Sequence, residues 1–304
     1  MKTFYSNGKL LLTAEYLILD GAKALAVPTI FGQTLAISET TNNDIHWISY
    51  DSDESIWYEA HFLKDDIINK KDDFDNPITN TLINILYFAN CQNSEILDHF
   101  SGFNVETKLN FPRNWGLGTS STLINNIAQW FAVDAFELLQ KAFGGSGYDI
   151  ACAQNNMPII YQLQNEKPIV ETVLFNPIFK KHLYFVYLNQ KQSSKTAIAN
   201  YLNNKADVAN ITENINNFTN IISTTTDLQI FCSTLKMHES ELSQILKTPT
   251  IQEQLFADFD GVVKSLGAWG GDFVMVVATA DPTDYFQQKG FHVILKYDEM
   301  ILKQ

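Results

Sequence analysis

The stretch NFPRNWGLGTSSTLINNIAQW, residues 110–130, restricts most what this chain can fold into. Two glycines and four hydroxyl side chains lead directly into apolar residues at helical spacing. That order predicts a glycine loop opening a helix from about Ser120 to Trp130. Gly116 and Gly118 allow positive φ and close approach of the backbone to a ligand. Thr119, Ser120 and Ser121 put hydroxyls in the first turn, where free N–H groups and the helix dipole favour an anion. The competing reading is a Ser or Thr N-cap behind a flexible turn. The segment alone does not choose between them. It is not a Walker loop, because no lysine follows the second glycine.

The chain around this loop is long and apolar enough for a sizeable core. It has 304 residues, 45% of them hydrophobic, which suits one large domain or two ordinary ones. A formal net charge of −13 argues against a general basic surface for nucleic acid. An anionic substrate then needs a local positive pocket. Arg113, beside the glycine loop, is the sole arginine. It reads either as a phosphate-binding fork or as a surface charge. Cys91, Cys152 and Cys232 form no metal spacing or disulfide framework, which fits a reducing, cytoplasmic compartment. The apolar N-terminus carries Lys9, Glu15 and Asp20 and lacks a cleavage site, so neither a signal peptide nor a membrane partner is expected. The six histidines show no ligand spacing and are assigned no metal. Oligomeric state is not legible.

Strand-like runs dominate up to about Tyr58: LLLTAEYLIL, ALAVPTIFGQTLAIS and DIHWISYD, with turns at Asp20-Gly21 and at residues 42–44. KDDIINKKDDFDN reads as a loop or hairpin tip. PITNTLINILYFANC has helical spacing, with Pro77 suited to its first turn. GFNVETKLNFP returns to strand character. After the glycine loop, VDAFELLQKAFGG is a helix stopped by Gly144-Gly145, and another begins near Ser146. HLYFVYL and GDFVMVVAT are strands flanking a helical region from Lys195 to about Phe256, and FHVILKYDEMIL closes the chain. The pattern is α+β, with domains at residues 1–165 and 166–304.

Three further segments carry candidate chemistry. In SNGKLLLTAEYLILDGAKALAVP, Lys9 and Glu15 interrupt an apolar run. A buried charge costs several kcal/mol unless paired, so each lies at a strand edge or has a partner. In FGGSGYDIACA, glycines bracket Ser146, and Asp149 falls in the first turn of an apolar helix, a position the helix dipole also favours. In KSLGAWGGDFVMVV, Gly267, Gly270 and Gly271 form a loop ahead of a strand.

Taken in order, NGKLLLTAEYLILDGAKALAVP, GLGTSST, SGYD and GAWGGD resemble the motifs of the GHMP kinase superfamily, which includes galactokinase, homoserine kinase, mevalonate kinase and phosphomevalonate kinase. The resemblance spans nearly the whole chain. Asn7, Ala14, Thr122 and Trp269 depart from the family's proline, glycine, alanine and glycine.

The resemblance implies a ribosomal-S5-like N-terminal domain and a ferredoxin-like C-terminal domain, with ATP and Mg²⁺ as cofactors. It implies that Gly116, Leu117, Gly118, Thr119, Ser120 and Ser121 wrap the ATP phosphates and that Ser120 faces Mg²⁺. The Mg²⁺-binding glutamate of mevalonate kinases has no direct counterpart. Leu138 falls at that offset, with Glu137 the neighbouring candidate. Lys9 and Asp149 would be catalytic. Arg113, Ser146, Gly147, Gly267, Ala268, Gly270 and Gly271 would line a small anionic metabolite. Ile150 and the Gly-Gly-Asp ending look more like phosphomevalonate kinases than mevalonate kinases. Alternatives are mevalonate kinase or another GHMP metabolite kinase, a non-catalytic nucleotide-binding relative, and a decarboxylase of the same fold.

Overall fold

A computed structural model describes residues 1–99, 101–190, 201–202, 209–267, 269 and 271–303. The chain divides into two compact units. One comprises Met1–Gly8, Phe31–Arg113 and Gly118–Gln154, and the other Lys9–Ile30, Asn114–Leu117 and Asn155–Gln304. The division differs from a single cut near residue 165. The early segment around Glu15 and the short segment before Gly118 belong with the later residues, because their hydrogen bonds and ring contacts lie there.

In the first unit, strands β2 (Ala24–Thr40), β3 (Asp44–Tyr50), β4 (Ile56–Leu63) and β5 (Gly102–Leu109) run in the order β4-β3-β5-β2. β3 and β5 are parallel and the other pairs antiparallel. Burial alternates along β3 and β5, as period-2 side chains on a half-buried sheet require. The covered face packs on helices α2 (Pro77–Gln92), α4 (Thr119–Phe131) and α5 (Ala135–Ala142), through Trp47, Phe62, Leu86, Phe103, Ile127 and Leu138 among others. α2 has Pro77 in its first turn, as its sequence predicts, and Asn76 accepts the Ile78 N–H; a short helix α3 (Glu95–His99) follows. KDDIINKKDDFDN is not simply a loop. Its first residues form a short helix, α1 (Lys64–Ile68), because Asp66 accepts the Leu63 N–H and Ile67 is buried.

In the second unit, β1 (Lys2–Leu11) delivers Lys9–Leu11 and ends there, so LLLTAEYLIL is not one strand. Ala14 and Tyr16 take φ of 64° and 63°, and Leu17–Asp20 is a turn of 3-10 helix. Residues 24–26 of β2 pair with β6 (Ile159–Gln164), which pairs in turn with β7 (Lys167–Thr172). A second sheet has the order β11-β8-β10-β9, from β8 (Leu183–Tyr187), β9 (Val262–Ser265), β10 (Phe273–Val277) and β11 (Ile294–Lys296). All its neighbours are antiparallel. Helices Ala209–Thr224 and Leu228–Leu246 fall between β8 and β9, and Thr283–Gln288 between β10 and β11. This is the ferredoxin-like β-α-β-β-α-β arrangement. The helical region expected from Lys195 is described from Ala209 onward, and residues 195–200 and 203–208 lie outside the described residues. No helix among the described residues is long and apolar enough to cross a membrane.

Candidate phosphate loop and a buried charge network

The glycine loop has the backbone its composition requires. Gly116 and Gly118 adopt φ of 69° and 95°, a region that L side chains rarely enter. Gly118 itself is the N-cap of α4 and has no side chain to cap with. Two hydroxyls further into the first turn are engaged within the unit. Ser121 Oγ donates to Gly118 O at 2.9 Å. Thr122 Oγ1 lies 2.8 Å from Gln33 Oε1, and Thr122 is fully buried. The Ser/Thr-capped helix is therefore not what forms. The first-turn N–H groups have no side-chain acceptor at the N-cap, with Thr119 half-buried and Ser120 exposed beside them.

The residues just before this turn are held in the second unit. Trp115 packs edge-on against Phe273 at 5.4 Å and against Tyr187 at 6.3 Å. The Tyr187 hydroxyl donates to Asn114 O. Leu117 is fully buried, and its carbonyl accepts the Lys9 N–H at 3.0 Å. The Lys9 side chain reaches the neighbouring carbonyl, with Nζ 3.0 Å from Gly116 O. Lys9 is thus tied to the glycine loop by backbone and side chain together. Asp272, with φ of 40°, lies against Gly116 so closely that a methyl group there would overlap its carboxylate. Residues far apart in sequence, Lys9, Gly116 and Asp272, are thereby brought to one place.

Glu15 is not an edge charge. It is fully buried, and Lys264 Nζ lies 2.5 Å from its Oε1. The same ammonium reaches Ser265 O at 2.8 Å and Glu239 Oε1 at 3.3 Å. Glu239 Oε2 accepts the Ser265 N–H. His238, also fully buried, takes the Ala14 N–H on Nε2, so the ring is neutral with its proton on Nδ1. Its 3.7 Å approach to Glu15 is accordingly not an ion pair. Burial holds the imidazole well below its usual value, and Lys264 adds to this. Burial raises Glu15 against the pull of Lys264. It pushes Glu239 up to about 7. For Lys264 burial opposes the charge, but the two carboxylates outweigh it and the amine ends up raised. Sequence reasoning named Glu15 but missed Lys264, Glu239 and His238. A lysine inside an apolar strand was the available signal.

The remaining candidates have plainer settings. Arg113 is exposed, with its guanidinium 4.8 Å from the Trp57 ring centre and its N–H on Asp51. Glu137 lies on the exposed face of α5 in a solvated i,i+4 pair with Lys141 at 2.6 Å. Asp149 is half-buried in the first turn of α6 (Tyr148–Gln154), with the Ile150 N–H on its Oδ1. Ser146 is half-buried, and Gly147 has φ of 86°. Gly267 takes φ of 67° with open space around it, and Gly271 is buried. Ala268 and Gly270 lie outside the described residues. Between them, Trp269 is fastened twice, by its N–H to the Tyr16 hydroxyl and by Nε1 to Pro249 O.

No family model and no curated protein sequence matches the chain. Solved structures do. The mevalonate kinase of Methanococcus jannaschii matches with a TM-score of 0.71 at 13% identity, over 100% of this chain and 98% of that one. The Streptococcus pneumoniae phosphomevalonate kinase in complex with phosphomevalonate and AMPPNP matches with a TM-score of 0.70 at 15% identity, over 95% of each chain. The Lactococcus lactis galactokinase complexed with galactose matches with a TM-score of 0.65 at 14% identity, over 99% of this chain and 95% of that one. All three are GHMP kinases, and over essentially its full length this chain has the GHMP kinase fold.

Proposed function

We propose that the protein is an ATP- and Mg²⁺-dependent kinase of the GHMP type, acting on a small anionic metabolite. The observation that carries this reading is the uncapped start of α4 behind two positive-φ glycines, with Lys9 fixed to the same loop. A helix start without a side-chain cap offers its N–H groups to phosphate. Phosphoryl transfer needs placement and charge cancellation far more than covalent help. Lys9 supplies positive charge at the transferring phosphate, and Asp149 orients the acceptor hydroxyl or takes its proton.

The donor set suits Mg²⁺, a hard ion that keeps most of its ligands as phosphate oxygens and waters. The exposed Ser120 hydroxyl and the Asp149 carboxylate are the side chains that would hold it. Glu137, engaged with Lys141, is left out. When bound, the ion would neutralise developing charge on the phosphates. The buried Lys264–Glu15 network is assigned no part in the transfer.

Phosphomevalonate is the leading acceptor and mevalonate the next. The Gly-Gly-Asp ending at Asp272, its carboxylate packed on Gly116, supports the first. A phosphomonoester has a second pKa of about 6 and is mostly dianionic at pH 7, so no strong base is required. ADP release measured against mevalonate, phosphomevalonate, homoserine and a sugar panel tests the proposal. Turnover should appear with one of the phosphorylated or carboxylated acceptors. Tight ATP binding without turnover of any of them would instead favour a nucleotide-binding relative, with Trp269 and its two anchors as the first place to look.

A further inference from the structure

We propose that His46, His61 and Glu59, on the outward face of the β3–β4 hairpin, form a binding site for a divalent transition-metal ion of the Zn²⁺ class. The three are scattered in sequence, and pairing register brings them together. Along β3, Ile45 and Trp47 are buried and His46 points outward. Along β4, Tyr58 and Phe62 are buried, while Glu59 and His61 point outward. Antiparallel pairing sets His46 directly opposite His61 and Ile48 opposite Glu59. Directly opposed side chains on one face are the closest neighbours a sheet provides.

The geometry is specific. The two imidazole rings stack with centroids 4.0 Å apart and planes 8° from parallel. Glu59 Oε1 lies 2.7 Å from His46 Nε2. Asp44 Oδ2 lies 3.4 Å from His61 Nδ1, which leaves the Nε2 of that ring for a ligand role and orients it as carboxylate partners orient metal-binding histidines. One donor atom from each of His46, Glu59 and His61 falls within 4.8 Å of the others. An ion with bonds of about 2.0–2.1 Å spans at most about 4.2 Å between two ligands, so the donors must close by up to about 0.6 Å and the stacked rings must tilt until both nitrogens aim at one point. The side chains are 27%, 47% and 60% exposed for His46, Glu59 and His61, which leaves them free to make such rotations.

Pairing with Glu59 accounts for His46 alone. It gives no reason for a second imidazole stacked on the first with its own carboxylate behind it, whereas a shared ion engages all four groups. Two nitrogens and one oxygen match borderline ions such as Zn²⁺, Cu²⁺ or Ni²⁺. Mg²⁺ and Ca²⁺ prefer all-oxygen sets. Three protein ligands leave further positions to water. The site is therefore distinct in chemistry from the Mg²⁺ proposed at the phosphate loop, and it stands whether or not the kinase reading holds.

Isothermal titration of the metal-free, full-length chain with Zn²⁺ in excess Mg²⁺ tests it. The expected result is one equivalent that weakens at least about ten-fold in His46→Ala and in His61→Ala and is unchanged in His99→Ala, an exposed histidine elsewhere in the unit. All three positions are partly or fully exposed, so far-UV circular dichroism should show the variants folded. With Cu²⁺, the paramagnetic spectrum should show coupling to two nitrogens, and to one in either variant. No Zn²⁺ binding by the parent chain, equal binding by the parent, His46→Ala and His61→Ala, or displacement of Zn²⁺ by Mg²⁺ would each overturn the proposal.

Discussion

Replacing Lys264 with methionine keeps the length of the side chain and removes its charge. In the folded protein this strands two carboxylates. Glu15 is 0% exposed and Glu239 3%, and Lys264 Nζ is within 3.3 Å of an oxygen of each. Removing one partner of a buried ion pair typically costs about 3–5 kcal/mol, because the remaining charge is left without compensation. The variant can escape only by protonating the carboxyls, so the loss must depend on pH. The parent already shows the direction. Glu239 is raised to about 7 from the ordinary 4.5, so the folded state binds more protons than the unfolded state between those values. Its contribution is fully present below about pH 4.5 and is lost as pH rises through about 7, on the order of 3 kcal/mol in all. Without Lys264 both carboxyls rise further and that fall extends to higher pH. Urea unfolding at pH 5.5 and pH 8 measures it. K264M should be about 3–5 kcal/mol less stable than the parent at pH 8, with the gap at least about 1 kcal/mol smaller at pH 5.5. The triple variant E15Q/E239Q/K264M, which strands no charge, should recover part of the loss. A gap under about 1 kcal/mol at pH 8, or one that ignores pH, would refute the reasoning.

Other substitutions probe the loop. Lys9→Met should lower kcat at least about 100-fold while ATP still binds, the scale seen when one charge-stabilising donor is removed; steady-state kinetics with parallel nucleotide titration would show it. Gly116→Ala forces a methyl into the Asp272 carboxylate at φ 69° and should raise the KM for ATP and cost about 1–3 kcal/mol in urea unfolding. Arg113→Ala should raise the KM of a phosphorylated acceptor more than that of ATP. An unchanged acceptor KM would assign the guanidinium to its contact with Trp57 alone.

Local signals were readable wherever the responsible residues are neighbours in sequence. Pro77 opens α2 as expected, Gly144-Gly145 follows the end of α5, and the apolar period read from about Ser120 to Trp130 became α4 (Thr119–Phe131). The candidate phosphate loop was half legible. Its glycines announced positive φ, but that Gly118 would itself be the N-cap, with Thr122 drawn to Gln33 far away along the chain, was not readable. Glu15 was legible as a problem without its answer, because Lys264 lies 249 positions later. The break in the first strand after Leu11 was hidden for the same reason. Ala14 and Tyr16 hold positive φ where His238 and Trp269 supply hydrogen bonds from distant segments. The histidine pair was hidden by register, which linear spacing does not encode.

The ion pair between Glu15 and Lys264 also sets a timetable for synthesis. Glu15 leaves the ribosome 249 residues ahead of its partner. At about 5–20 residues per second the wait is roughly 12–50 s. Through that interval Lys9–Ile30, an apolar segment belonging to the later unit, has no finished core to enter. Until Lys264 emerges the Glu15 carboxylate stays hydrated and the leucines beside it stay exposed, so this segment cannot close its core before the rest of its unit is made.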